Sequence, residues 1–231
     1  MDDNFIAKAE AWKQRHGGKK AGYREMIPGD DFDLGEDGSA LYYADWDVVG
    51  IMFRDWKPAQ SHNISIQGTS GKTSYFLSVG YNHEEGVMTF NPDKLNKYNA
   101  NMNVTSDITN WLQIGGRFSY SDKAYTTPNT RRNTYTYMWR WGSFFGPYGT
   151  YQGIDMKNDI AYLKQAGDDK TNDSYTRIGA FLKATIIKGL TLNADYTFNI
   201  NNKTTKSVGL PVICWNSWGG KLNTPTTAAG A

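Results

Sequence analysis

The histidines, paired acids and single cysteine are the residues whose types could do chemistry, and their spacing gives them none to do. His16, His62 and His83 stand in no metal-ligand pattern, and no G-x-S-x-G nucleophile motif is present. Glu84 and Glu85 are a carboxylate pair by type, but neighbours on an extended chain point to opposite sides and cannot flank one glycosidic bond. The acidic stretch Pro28 to Ser39 invites a calcium loop, yet Gly35 sits where an oxygen ligand belongs, so a solvated loop is expected. Gly71-Lys72-Thr73 resembles the end of a phosphate loop, but Ile66 occupies the position of the required first glycine. Cys214 is alone, which excludes an intramolecular disulfide. No catalytic residue, metal ligand or cofactor is expected, and the chain is not read as an enzyme.

One stretch does carry recognition chemistry. Tyr135, Tyr137, Trp139, Trp141, Phe144, Phe145, Tyr148 and Tyr151 crowd the segment after Lys123. Such rings have flat apolar faces and a polar handle, suited to stacking on sugars or gripping peptide side chains. Arg140, between two tryptophans, supplies a guanidinium for a carboxylate. Tyr135, Tyr137, Trp139, Arg140, Trp141 and Tyr148 are therefore the candidate substrate-binding residues. The competing reading is a loop core or an aromatic girdle.

The elements that must position this loop are strands. From Ser61 to Thr69 the residues alternate, with Ser61, Asn63, Ser65 and Gln67 on one side and His62, Ile64 and Ile66 on the other. The pattern returns at Tyr75–Tyr81 (Phe76 being the exception), at Tyr98–Val104 and at Leu112–Tyr120. It returns again at Ile178–Ile186, with Thr176, Arg177 and Lys183 as companions, and at Leu190–Ile200. Six strands, apolar on one face and Asn, Ser, Thr or Gln on the other, with Tyr near their ends, fit a transmembrane barrel rather than a soluble sandwich. Short turns at Thr69–Lys72, Ser106–Asn110 and Lys188-Gly189 alternate with long connections, the outer-membrane rhythm. Asp195 toward lipid would cost roughly 2 kcal/mol or more, which assigns the polar face to the lumen. The expected fold class is all-β: about six strands of a larger antiparallel barrel with long extracellular loops.

Three helices are expected outside the strands. Asn4–His16 is stopped by Gly17-Gly18; a second piece, capped by Asp45 and ended by Pro58, puts Trp46, Val49, Phe53 and Trp56 on one face; Asp155–Gln165 buries Ile160 and Leu163. The organisation is thus 1–60 as loop with short helices, 61–201 as strands with a long loop at 122–174, and 202–231 as the start of another loop. Lys and Arg number 25 against 23 Asp and Glu, so net charge makes no case for nucleic acid. A mean hydropathy of −0.62 is compatible with a barrel, whose loops and inner faces are polar. Met1-Asp2-Asp3-Asn4 is acidic where a leader would be basic, and six strands fall short of the ~8 of small barrels. The chain is expected to be part of a larger protein.

The run HNISIQGTSGKTSYFLSVGYNHEEGV, followed by YNANMNVTSDITNWLQIGGRFSYS, resembles successive strands of the SusC/RagA family of TonB-dependent outer-membrane transporters. Asp45-Trp46 and Ile187-Lys188-Gly189-Leu190 also fit, and Thr69-Ser70-Gly71 departs from the paired glycines usual there. The resemblance implies an outer-membrane barrel of about 22 strands with a lumen plug, importing oligosaccharides or peptides. It implies TonB as the energy source and a SusD-like surface lipoprotein as partner, although nothing in this chain matches the plug or the TonB-contacting segment. Two other classes are a soluble glycan-binding β module and a small outer-membrane barrel with an adhesive or structural role.

Overall fold

A computed structural model describes residues 3–130, 134, 136, 147–216, 222 and 225–228. The elements in order are α1 (Asp3–Arg15), β1 (Phe32–Leu34), β2 (Ala40–Tyr42), α2 (Val48–Met52), β3 (Ala59–Ser70), β4 (Thr73–Glu85), β5 (Lys94–Asp107) and β6 (Leu112–Pro128). After them come β7 (Thr150–Tyr151), β8 (Ile154–Asp155), α3 (Asp159–Gln165), β9 (Asp168–Ile187), β10 (Leu190–Ser207), β11 (Val212–Cys214) and β12 (Thr226–Ala228).

Six long strands form one antiparallel sheet in the order β10-β9-β6-β5-β4-β3. All six predicted strands are present, and the three short turns lie together at one end. Gly71 (φ 59°) and Gly189 (φ 89°) take the left-handed backbone that two of these turns require. The register makes the faces continuous. One row runs Ile66, Leu77, Met102, Phe118, Ile178, Phe198; the adjacent row on the other face runs Ser65, Ser78, Asn101, Ser119, Arg177, Asn199. On β9 Thr176 falls on the apolar face with Ile178, while Arg177 and Lys183 fall on the polar one together with Phe181.

The strands outrun their expected ends. β6 continues to Pro128 and β9 begins at Asp168, so the connection expected at 122–174 narrows to 129–167, and β10 extends to Ser207. Beyond the apolar band both faces are polar. Backbone pairing persists there while the alternation that betrays a strand disappears.

The packed core of the molecule lies outside the sheet. Residues 3–58, the β4–β5 connection and residues 147–166 and 212–216 fold together at the long-loop end, burying Trp12, Phe32, Trp46, Met52, Met88, Met156, Ile160 and Leu163. α1 ends as expected at Gly17 and Gly18, both at positive φ. α2 is capped by Asp47 rather than Asp45: the Asp47 carboxylate accepts from the Gly50 N–H at 3.1 Å, while Asp45 is buried with Lys13 at 3.7 Å. Of the face expected there, Trp46 is buried while Val49 and Trp56 are exposed. α3 is capped by Asn158 and buries Ile160 and Leu163. Backbone hydrogen bonds tie distant parts of this cap together: Met26 N donates to Thr150 O at 2.8 Å and Thr150 N to Arg24 O at 3.0 Å.

Candidate functional site

Two surfaces can meet a partner or a solute: the polar face of the sheet and the cap above it. On the polar face, cross-strand side chains satisfy one another. Ser119 donates to Asn101 Oδ1 at 2.8 Å and Asn101 Nδ2 to Ser78 Oγ at 3.4 Å; Ser121 donates to Asn99 at 3.3 Å. Tyr175 and Arg177 both donate to Asn199 Oδ1, at 2.9 and 3.0 Å. Farther toward the short turns, Arg117 pairs with Asp195 at 2.6 Å and stands 4.8 Å from the Phe181 ring. That ring lies over Gly115, where an added Cβ would come within 2.2 Å of it. Asn63, Asn99, Asn101, Ser119, Ser121 and Lys97 are among the residues lining a hollow of about 520 Å³ on this face.

The opposite face has no such satisfaction and needs none. Ile64 is 74% exposed and Tyr196 75%, and Ile66, Leu77, Val79, Ile178, Leu192 and Phe198 are exposed with them. A soluble monomer rarely leaves so large a continuous apolar surface bare. On β10 the band runs from Leu190 to Ile200, roughly 34 Å along the strand at about 3.4 Å per residue and roughly 24 Å of bilayer at a tilt near 45°. Rings border it. His62 stacks on Tyr81 at 6.4 Å and Tyr81 meets Tyr98 at 5.1 Å near the long-loop end, while Tyr75 stands close to the short turn at Gly71 and Tyr196 lies within the band. No helix among the described residues is long and apolar enough to cross a membrane, which says nothing of strands.

In the cap the acidic stretch is not the solvated loop expected of it. Phe32 is in the core, and Asp31 is fully buried. Arg24 clamps the Asp31 carboxylate at 2.6 Å through each of two guanidinium nitrogens, and Trp12 Nε1 and the Ile27 N–H donate at 3.1 and 2.9 Å. Asp30 takes Arg15 and His16, and Asp33 takes Lys8 and Tyr43. Lys8 beside Asp33 holds that carboxyl below the usual range. No cluster of three or more metal-ligating side chains occurs among the described residues. Asp159, in the first turn of α3, is pushed up to about 6 by burial.

Of the candidate substrate-binding residues, Tyr135, Tyr137, Trp139, Arg140 and Trp141 lie outside the described residues. Tyr148 is 5% exposed and packed in the cap core, its hydroxyl pushed up to about 12 by burial and by Asp159. Its ring is closed to a ligand in this structure. Tyr151 likewise packs edge-on to Phe32, at 5.4 Å, and its carbonyl accepts from Trp215 Nε1 at 2.7 Å. The Phe181–Arg117–Asp195 group escapes a reading of the sequence because its members come from three strands. Phe181 breaking the polar column of β9 is the available signal.

Comparison with known proteins gives structural neighbours. No family model and no curated protein matches the chain. A structure of the RagAB peptide transporter matches with a TM-score of 0.48 at 22% identity, covering 71% of this chain and 20% of that one. A structure of the RagAB peptide importer in its "closed-closed" state matches with a TM-score of 0.54 at 21% identity, covering 78% of this chain and 21% of that one. The second likeness decides the fold. This chain has the fold of an antiparallel β-barrel segment. It spans about one-fifth of the length of the chains it matches, and among the described residues its six-stranded sheet is open, with β3 and β10 at the edges. The matched proteins are transporters, not enzymes.

Proposed function

We propose that this chain is a stretch of wall and extracellular loop of a SusC/RagA-type TonB-dependent transporter of the outer membrane. The observation that carries the reading is the bare apolar band, close to the ~25 Å height of the band on outer-membrane barrels and bordered by rings at its long-loop end, backed by a hydrogen-bonded polar face. The open edges favour it over a soluble glycan-binding module, because the backbone groups of β3 and β10 call for further strands. The polar face then lines the lumen, the short turns face the periplasm and the cap stands outside the cell. The cargo is a peptide or an oligosaccharide, taken from a SusD-like lipoprotein seated on the loops and driven by TonB acting through a plug outside this chain. That the matched importer is a peptide importer supports the first of these cargoes.

The test is the asymmetry of the faces. Within the whole transporter, Ala194→Arg puts a guanidinium into mid-bilayer at a cost of about 2–4 kcal/mol and depletes the folded protein from the outer membrane. Asn193→Arg, one residue away on the other face, is assembled normally. Equal outer-membrane levels of the two variants would remove the reading.

The aromatic strip Tyr135, Tyr137, Trp139, Trp141, with Arg140 between its last two rings, is proposed to contact cargo. Trp139→Ala and Trp141→Ala should each weaken ligand affinity by roughly 1–3 kcal/mol without changing the amount of assembled protein. Unchanged affinity per assembled molecule would assign the strip to loop packing.

A further inference from the structure

The polar face carries a charge arrangement that the wall does not resolve by itself. One row across the sheet reads Ser61, Asn82, Lys97, Lys123, Asp173, Lys203. Lys97 and Lys123 are direct partners on β5 and β6. Like charges at such positions have Cβ atoms about 4.5–5.5 Å apart and repel, so the pairing costs the sheet stability rather than adding to it. Neither ammonium has a carboxylate within 4 Å among the described residues, although Asp173 stands directly across from Lys123. Glu84, on this face one step nearer the cap, is taken by Lys57 at 3.5 Å and by Asn82 Nδ2 at 3.2 Å.

The pair does not stand on a featureless surface. Lys97 lies on the rim of the 520 Å³ hollow, whose walls add the amide groups of Asn63, Asn99 and Asn101 and the hydroxyls of Ser119 and Ser121. Lys123 stands beside it, one row above Ser121. Two ammoniums over a cluster of side-chain amides form a cradle that a carboxylate completes: it would relieve the repulsion and accept from amide N–H groups below, the Ser119 and Ser121 hydroxyls already donating to Asn101 and Asn99. The position, at the cap end of the polar face, is where a solute released from the loops would first meet the wall.

We infer that Lys97 and Lys123, with the Asn99–Asn101–Ser119–Ser121 hollow, form a lumen-wall site for carboxylate groups of the cargo, so that this transporter favours acidic solutes. The inference rests on the lumen assignment of the polar face, and the experiment separates the two. In the whole transporter with Cys214→Ala, Asn99→Cys is placed in the hollow and Ala100→Cys on the opposite face. Each is labelled with membrane-impermeant methanethiosulfonates carrying either a sulfonate or a trimethylammonium group. The expected result is labelling of Asn99→Cys and not of Ala100→Cys, with the anionic reagent favoured by about fivefold over the cationic one, a preference lost in Lys97→Gln/Lys123→Gln. Tetraglutamate or tetragalacturonate at millimolar concentration should slow labelling of Asn99→Cys severalfold, and tetralysine should not. Which of the two acids protects identifies the source of the carboxylate. Labelling of Ala100→Cys as fast as Asn99→Cys overturns the lumen assignment and the site with it. Selective labelling of Asn99→Cys without charge preference, and without protection by either acid, leaves the lumen standing and overturns the site.

Discussion

The cap and the sheet use the same residue types and dispose of them in opposite ways. In the cap, Trp12, Phe32, Trp46 and Met52 are buried against one another, while in the sheet Ile64, Leu77, Ile178 and Phe198 are exposed along one face. The cap has to expel its own apolar surface from water, so it folds segments from four parts of the chain around one core. The sheet leaves its apolar surface bare, a disposition that apolar surroundings such as the proposed bilayer would accommodate. Ion pairs divide the same way. Arg24 holds a carboxylate with no exposure at all, whereas the Arg117 and Asp195 side chains are 52% and 48% exposed.

Breaking the buried pair should therefore produce the largest effect. Arg24→Met leaves Asp31 with two remaining donors, Trp12 Nε1 and the Ile27 N–H, and no opposite charge. Removing one member of a buried ion pair costs about 3–5 kcal/mol. Protease sensitivity and faster amide exchange should appear across residues 3–58 while the strands keep their protection. Loss of strand protection at the same denaturant concentration would mean that cap and sheet are one cooperative unit, and the contrast between them would fail.

The contrast also explains what the sequence discloses. All six strands of the sheet are legible because a strand with one apolar and one polar face must alternate with period two over the apolar band. The same rule hides the strand ends: residues Asn201 to Ser207 of β10 and the pairs from Lys123↔Asp173 to Pro128↔Asp168 lie beyond the apolar band and leave no period. The cap is legible only in its local pieces, namely the stop of α1 at Gly17-Gly18 and the buried Ile160 and Leu163 of α3. Its core joins Trp12 to residues as distant as Trp215, and no local pattern announces that. Asp31 has the look of a solvated acid because the pairing that buries it depends on Arg24 and Trp12 arriving from other turns. Of the candidate site, the aromatic density is plain in the sequence, but the burial of Tyr148 follows from the same nonlocal core.

A smaller effect separates the regions by pH. Burial raises Asp159 from 3.8 to about 6, so between those values the folded cap binds a proton that the unfolded chain has lost. Stability from this group is then full below about pH 4, falls as pH rises through the window and is gone above about 6. The carboxyl of Asp33, held down by Lys8, acts in the other direction and only as pH falls below the ordinary carboxylate range. Asp159→Asn should flatten the fall between pH 4 and 6 and stabilise α3 at pH 7 by about 1–3 kcal/mol. Protection factors of α3 amides at the two pH values measure this. An unchanged slope in the variant would mean that Asp159 finds solvent or a partner when it ionises.

The smallest effect is expected at Arg117, and it is the most informative about the wall. Arg117→Met keeps a side chain long enough to cover the Phe181 ring and removes the pair with Asp195. With both partners about half exposed, water replaces the lost interaction and the cost should stay below about 1 kcal/mol. Asp195 also keeps the Thr197 hydroxyl at 3.1 Å, so it is not left without a donor. Denaturant unfolding of the whole transporter, compared with the Arg24→Met variant, makes the measurement. A cost of about 3 kcal/mol or more at Arg117, close to that at Arg24, would place this part of the wall under cover as dry as the cap core. The polar face would then be an interface inside the protein, with Arg117 and Asp195 at its centre, and the division between a dry cap and a wet lumen would have to be redrawn at this row of the sheet.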